Sequence, residues 1–348
     1  MDGPSPPAAP GDAHAAILRL ATAYQGSRAL HVAVRMGVVD AVARGLDDTA
    51  TLASALGAHA PSLRRLLRAL VAFGVLTETP DGRVGLAPMG QTLRSDVAGS
   101  ARDLVLLWGD DDFQTTWGAL EHCVRTGETA ARHMFGASQW MTRYELDPTL
   151  LAVYSAGMAT MALMAAEAVL ATCDLGSPRR IVDVGGGEGR MLAALLRAYP
   201  GARGVVLDRP EVAARASVRL AEAGLDRRAE ALGGDMFDGV PPGGDVYLLS
   251  RVLHDWNDAE ATAILRHCRE AMQPDARLLV IERVPGELGH ASAEQQGHAL
   301  SDLNMLVRTG GRERTAEEYA ALLRAARLRV TRIVPTKMPW SVVEAAWA

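Results

Sequence analysis

Apolar residues recur at helical spacing from about His14 to Arg44: Ile17, Leu18, Leu20 and Ala21, then Ala29, Leu30, Ala33, Val34, Val38 and Val39. Thr51–Leu56 predicts a short helix, and Gly57–Ala60 a turn. Ser62 is placed to cap the next helix, which runs to about Phe73. Gly74–Glu78 reads as a strand, Pro80-Asp81-Gly82 as a tight turn, and Val84-Gly85-Leu86 starts the return strand. Helix, turn, helix and hairpin is the order of a winged helix, assigned to residues 14–100. Helical pattern then resumes over residues 101–175. This stretch concentrates Trp108, Phe113, Trp117, Met134, Trp140, Tyr144, Tyr154, Met158, Met161 and Met164 in a chain with only 5% aromatics. Such a cluster predicts a pocket wall.

From Arg180 onward strands alternate with helices. The strands are Ile181–Val184, Gly204–Leu207, Ala229–Gly233, Asp245–Ser250 and Arg277–Glu282, with helical stretches such as Ala259–Met272 between them. That alternation predicts a doubly wound α/β domain over residues 176–348. Leu328–Val334 and Ser341–Glu344 read as an antiparallel hairpin on the sheet edge.

Composition narrows the function. A net charge of −5 and a pI near 6.0 argue against nucleic acid as a partner. Arg64, Arg65 and Arg68 on the second winged-helix segment are therefore read as part of a dimerisation module. Residues 1–13 are read as a disordered tail: they are rich in Pro and Ala and lack a signal-peptide pattern, which points to the cytoplasm. Cys123, Cys173 and Cys268 are too scattered for a metal or redox pair and read as buried thiols. Leu151–Ala171 has the length of a membrane span, but it is dominated by Ala and Met and carries Glu167, so a buried helix is expected and no membrane partner.

The chemistry starts at Ile181-Val-Asp-Val-Gly-Gly-Gly-Glu-Gly-Arg190. A buried strand followed by a glycine-rich turn and a helix lets a nucleotide-like ligand lie against backbone amides. Alone the turn fits two cofactor classes, because Gly185-x-Gly187-x-Gly189 departs by one position from the dinucleotide pattern. Strand Val205–Leu207 ends in Asp208, about 20 residues further on, where a carboxylate meets a ribose. Gly234-Asp235-Met236-Phe237 follows the next strand, with a carboxylate for an exocyclic amine and an apolar cover for a ring. Acidic residues at three strand ends repel phosphates and suit S-adenosylmethionine.

Together these motifs, with Leu253-His-Asp-Trp256 and Gly310-Gly-Arg-Glu-Arg-Thr315, resemble the class I methyltransferases. The resemblance is to the O-methyltransferases of plant phenolics and bacterial aromatic natural products, and it covers nearly the whole chain. It implies an α/β, Rossmann-like methyltransferase domain behind an N-terminal, mainly α winged-helix dimerisation domain, and hence a homodimer. It assigns Asp183, Gly185, Gly187, Asp208, Arg209, Gly234, Asp235, Met236, Phe237, Ser250 and Arg251 to the cofactor. Plant members have Lys where this chain has Ser250, and Gly310-Gly311 follows Met305 by one residue fewer than in those enzymes, so the substrate loop does not transfer in detail.

His254 leaves a strand end facing the methyl donor. A phenol has a pKa near ~10, and an imidazole, near ~6.5, accepts its proton at neutral pH. The resemblance supplies Glu282 and Glu313 as flanking carboxylates, and places Met158, Met161, Asp302 and Met305 on the acceptor side. Trp108, Trp117 and Asp255 complete the candidate substrate residues. The expected reaction is methylation of a phenolic hydroxyl on a small aromatic substrate, without a metal. Two other readings stand beside it: a non-methylating step (hydroxylation, decarboxylation or a pericyclic reaction) with S-adenosylmethionine bound, and a winged-helix DNA-binding regulator.

Overall fold

The computed structural model describes residues 10–136, 144, 146–286 and 292–348. The chain forms two compact units, one ending at Gln114 and the other starting at Thr115.

In the first unit the leading helix spans Pro10–Arg35, so it begins ahead of His14, inside the stretch expected to be a tail. The expected run to Arg44 is broken at Gly37, whose φ of 79° is left-handed, and Val38–Ala43 forms a separate helix. Asp48 caps the helix Thr49–Leu56 by accepting from the amides of Ala50 and Thr51. The following helix spans Ala60–Ala72 with His59 at its cap. Ser62 is therefore inside the helix and not its cap; its hydroxyl lies 3.0 Å from His59 Nδ1. Pro61 explains the earlier start, since proline favours the first helical turn. β1 (Leu76–Glu78) and β2 (Val84–Leu86) pair antiparallel, and Gly82, with φ 83°, makes the turn between them. Arg64 pairs with Glu78 on this hairpin. Val34, Val38, Leu52, Leu67, Leu70 and Val75 form the core of the unit.

The second unit is built on a seven-stranded sheet in the order β5-β4-β3-β6-β7-β9-β8. Its strands are β3 (Arg180–Val184), β4 (Arg203–Asp208), β5 (Ala229–Gly233), β6 (Val246–Ser250), β7 (Arg277–Glu282), β8 (Leu328–Pro335) and β9 (Ser341–Trp347). The first five are parallel; β9 runs antiparallel to both β7 and β8. Alternation sends Val182, Val184, Tyr247, Leu249, Leu278 and Val280 to one core and Ile181, Val206, Val246, Leu248, Leu279 and Ile281 to the other. Both faces are thus covered, as a parallel sheet requires. The three cysteines are buried free thiols.

The helix Pro148–Thr172 is long and apolar enough to cross a membrane, yet only 22% of that window is buried. Its buried residues lie mostly near its end, where Ala165, Ala166 and Val169 pack into the core around Ile181 and Leu192. The expected buried helix is therefore buried mainly over its last turns.

Candidate active site

β3 lies between β4 and β6, so the strand order reverses there and the carboxyl ends of β3, β4 and β6 border a crevice. Three glycines make the turn after β3 possible. Gly185 (φ 68°), Gly187 (φ 57°) and Gly189 (φ 73°) are all left-handed. A Cβ on Gly185 would stand 2.8 Å from Val252, and one on Gly186 would stand 2.7 Å from an oxygen of Asp183. The turn is packed between the strand beneath it and the loop after β6.

Asp183 is 1% exposed, and neither carboxylate oxygen has an aligned partner among the described residues. Burial, reinforced by the charge of Asp208, pushes its pKa up to about 7. A buried carboxylate with no aligned donor and no counter-charge on it is a place for a cation. Asp208, ending β4, accepts at 2.8 Å from the Gly187 amide through one oxygen and at 2.8 Å from the Arg209 amide through the other. Each oxygen keeps a lone pair for a diol. Burial raises this carboxyl too, against the pull of those two amides. Asp235 is exposed and accepts from the Phe237 amide at 2.9 Å. Phe237 meets Trp256 edge-on at 4.7 Å and, with Met236, packs on the sheet core. An unpaired carboxylate, a diol acceptor and an apolar slot with a carboxylate fit the ammonium, ribose and adenine of S-adenosylmethionine.

The loop after β6 carries His254 in a short 3-10 turn, Leu253–Asp255. Glu282, the last residue of β7 and fully buried, organises that turn. Its Oε1 accepts from the amides of Val252 (2.9 Å), Leu253 (2.8 Å) and His254 (3.4 Å). Its Oε2 lies 3.2 Å from His254 Nδ1, and Glu313 Oε1 lies 3.4 Å from the same nitrogen. These are ion-pair distances, and Nδ1 is not aligned as a hydrogen-bond donor to either oxygen. Ser301 donates to Glu313 Oε1 at 2.6 Å, and Asp302 accepts from the Glu313 amide at 2.9 Å. Nε2 is 3.8 Å from Asp255.

Electrostatically the ring is held in a carboxylate cage. Burial works to lower the pKa of His254, but Glu282, Glu313 and Asp255 outweigh it and raise it to about 10. Burial lifts the carboxyl of Glu282, while for Glu313 burial is overcome by the imidazolium beside it, which holds it low. The donor atoms of His254, Glu282 and Glu313 lie within 4.8 Å of one another, a spacing a metal ion can also use, as do those of His122, Glu128 and His133.

Other expected residues fall around this centre. Ser250 ends β6 with its hydroxyl buried and without a hydrogen-bond partner among the described residues. The Arg251 guanidinium sits against the sulfurs of Met158 (3.6 Å) and Met161 (3.4 Å). Trp117 donates to Asn304 at 3.1 Å, and Met305 is buried. Gly234 follows β5 with its amide on the Asp208 carbonyl. Trp108 and Phe113 belong to the first unit, where Trp108 is 49% exposed and Phe113 buried; Trp140 lies outside the described residues.

Three residues near the site had no role assigned from the sequence, Tyr154 having been named only within the aromatic cluster. Arg314 is completely buried and donates to the carbonyls of Leu253 (2.8 Å) and Trp256 (2.6 Å) and to Asp258 (2.9 Å), locking the His254 turn. Arg308, also buried, reaches Thr116 and Tyr144. Tyr154 is close enough to Asp255, Arg251 and Asp208 to feel their charges, and burial raises its phenol well above the usual range. Arg314 stands in the charged run Arg312-Glu313-Arg314, which by pattern alone reads as a solvated loop.

Comparison with known proteins agrees with this geometry. The model of the O-methyltransferase domain matches residues 117–329, and that of the O-methyltransferase dimerisation domain matches residues 18–96. The chain is 38% identical over 329 residues to a phenazine O-methyltransferase, PhzM, of Lysobacter antibioticus, covering 94% of this chain and 95% of that one. It is 35% identical over 337 residues to a phenazine-1-carboxylate N-methyltransferase of Pseudomonas aeruginosa, covering 95% and 97%. NcsB1, an O-methyltransferase from neocarzinostatin biosynthesis solved with S-adenosylmethionine and 2-hydroxy-5-methyl naphthoic acid, superposes with a TM-score of 0.76 at 36% identity, over 92% of this chain and 96% of that one. The chain belongs to the S-adenosylmethionine-dependent O-methyltransferase family, and to its bacterial branch of aromatic natural-product enzymes.

Proposed function

We propose that the protein methylates a phenolic hydroxyl of a flat aromatic secondary metabolite, with His254 taking the proton. The observation that carries this reading is the convergence of Glu282 and Glu313 on His254 Nδ1, which leaves Nε2 for the acceptor. The bound cofactor supplies an electrophilic methyl on a sulfonium. Asp183 and the Gly185–Gly187 turn would hold its ammonium, Asp208 and Arg209 its ribose, and Asp235, Met236 and Phe237 its adenine, with Gly234 and Ser250 at the walls. Trp117, Met158, Met161, Asp255, Asp302 and Met305 would face the acceptor.

The caged imidazole is better matched to a phenol than a free one. At a pKa of about 10 it equals a phenol in basicity, so proton transfer between them is close to thermoneutral. The same basicity leaves only a small fraction of the ring neutral at pH 7, and it is that neutral fraction which takes the phenol's proton. Alignment of oxygen, methyl and sulfur would supply most of the rate, and His254 a further part.

We assign residues 14–100 to a homodimerisation domain, residues 101–175 to a pocket-forming helical linker, and the enzyme to the cytoplasm. A second reading, methylation of a nitrogen, is favoured by the Pseudomonas relative, which is an N-methyltransferase. Incubation with labelled methyl donor and paired phenol and aniline acceptors tests both. One labelled methyl on oxygen per S-adenosylhomocysteine is the expected result. Label on nitrogen selects the second reading, and acceptor conversion without S-adenosylhomocysteine overturns methyl transfer.

A further inference from the structure

We propose that Arg251 is the receptor for an oxyanion on the acceptor, a carboxylate or an acidic ring oxygen, and so sets the enzyme's preference for anionic aromatic substrates. This rests on the methyl-transfer reading above, in which Met158 and Met161 face the acceptor.

The backbone is the first observation. Arg251 has φ 56°, a left-handed conformation shared among the described non-glycine residues only by Arg327. Such a conformation is uncommon for a residue with a Cβ and persists where its surroundings enforce it. Here the Arg251 amide donates to Ile281 at 2.9 Å, which anchors the turn at the end of β6.

The side chain is the second. Among the described residues, the hydrogen-bond partners of one terminal nitrogen of the guanidinium are two thioether sulfurs, those of Met158 and Met161, and the Trp340 ring centre is 6.0 Å away. Its Nε is closed off from water and has no hydrogen-bond partner among the described residues. No carboxylate among the described residues lies within ion-pair distance of it. Arg314, buried in the same unit, is by contrast satisfied by two carbonyls and Asp258. A guanidinium keeps its charge and its five donors under all ordinary conditions, and a thioether is a weak acceptor. Burial depresses the pKa of Arg251, and Tyr154, Glu282, Asp255 and Glu313 only partly restore it. A planar fork of this kind matches a carboxylate in bidentate geometry.

Two oxyanions can come to this place: one on the acceptor, or the cofactor's own carboxylate. The flanking methionines come from the helix Pro148–Thr172 and not from the glycine turn, which favours the acceptor. Binding of 3-hydroxy-2-naphthoate and of its methyl ester to the S-adenosylhomocysteine complex separates the two, and it does not depend on turnover. Wild-type protein should bind the acid at least tenfold more tightly than the ester. In Arg251→Gln that ratio should fall close to one through loss of the acid, with the affinity for S-adenosylhomocysteine changed less than twofold. Arg251→Lys keeps the charge without the fork and should retain a reduced preference, which decides the matter if Arg251→Gln does not fold. Equal binding of acid and ester by the wild type, absent binding of both included, overturns the proposal. So does an Arg251→Gln protein of unchanged melting temperature that loses S-adenosylhomocysteine tenfold while keeping the acid preference, since Arg251 would then hold the cofactor's carboxylate. A protein that binds the acid through Arg251 but methylates no phenol would leave this inference standing and remove the methyl-acceptor reading.

Discussion

Burial pushes the pKa values of Asp183 and His254 in opposite directions, yet both end up raised, His254 because its carboxylate neighbours outweigh burial. For Asp183 the folded pKa, about 7, lies above its ordinary value. The group's contribution to stability is therefore present at low pH and is lost as pH rises through about 7. A cation bound against it reverses the penalty. S-adenosylhomocysteine retains its ammonium, so its affinity should increase roughly tenfold between pH 5.5 and 8, with proton release on binding below neutrality. Titration calorimetry in buffers of different ionisation enthalpy measures both, and a flat pH dependence would count against the ammonium site. For His254 the folded pKa is raised to about 10, so its stabilising ion pairs are complete below about 6.5 and disappear as pH climbs through 10. His254, Asp208 and Asp183 were legible in the sequence because motif spacing put them at strand ends. Arg251 was legible only as a strand-end residue, because its backbone strain and its sulfur neighbours arise from packing.

Elements set the precision of the centre. Glu282 ends β7 and reaches across to three amides after β6, so the parallel register of Ser250 with Ile281 is what brings it to the His254 turn. The segment after the helix Ala293–Arg308 closes over the same turn. A Cβ on Gly311 would stand 2.6 Å from the Trp256 amide and strike the His254 carbonyl. Gly311→Ala should therefore destabilise the protein by about 1–3 kcal/mol and displace His254, seen as a lower melting temperature and slower methyl transfer. Arg314→Met strands the Leu253 and Trp256 carbonyls and should cost about 3 kcal/mol in urea unfolding. An unchanged midpoint would show that the turn stands without it. Hydrophobic periodicity placed most of these elements to within a residue or two. It misplaced the cap at Ser62 and missed the break at Gly37, where Pro61 and a left-handed glycine outweigh the apolar pattern.

At the scale of the whole molecule, alternation of strand and helix was enough to predict a doubly wound sheet. The order of its strands was not legible, because pairing between segments far apart in the chain leaves no local pattern. The first helix exposes Ile17 (64%), Leu20 (74%) and Tyr24 (64%), which share one face at helical spacing. An apolar stripe of that kind fits a subunit interface, as the dimerisation-domain match suggests. Sedimentation should give twice the 36.9 kDa chain mass, and Ile17→Glu with Leu20→Glu should shift it toward monomer. A chelator should leave methyl transfer unchanged if the His254 cluster handles a proton; loss of activity restored by a divalent ion would make it a metal site.

The central claim is that His254, held by Glu282 and Glu313, takes the acceptor's proton during methyl transfer. Single-turnover rates of the wild type and His254→Gln, measured with one phenolic acceptor and saturating S-adenosylmethionine, test it most directly. The account predicts a loss of about 10²–10⁴-fold in the rate, with cofactor affinity preserved. Equal rates in the two proteins would contradict it.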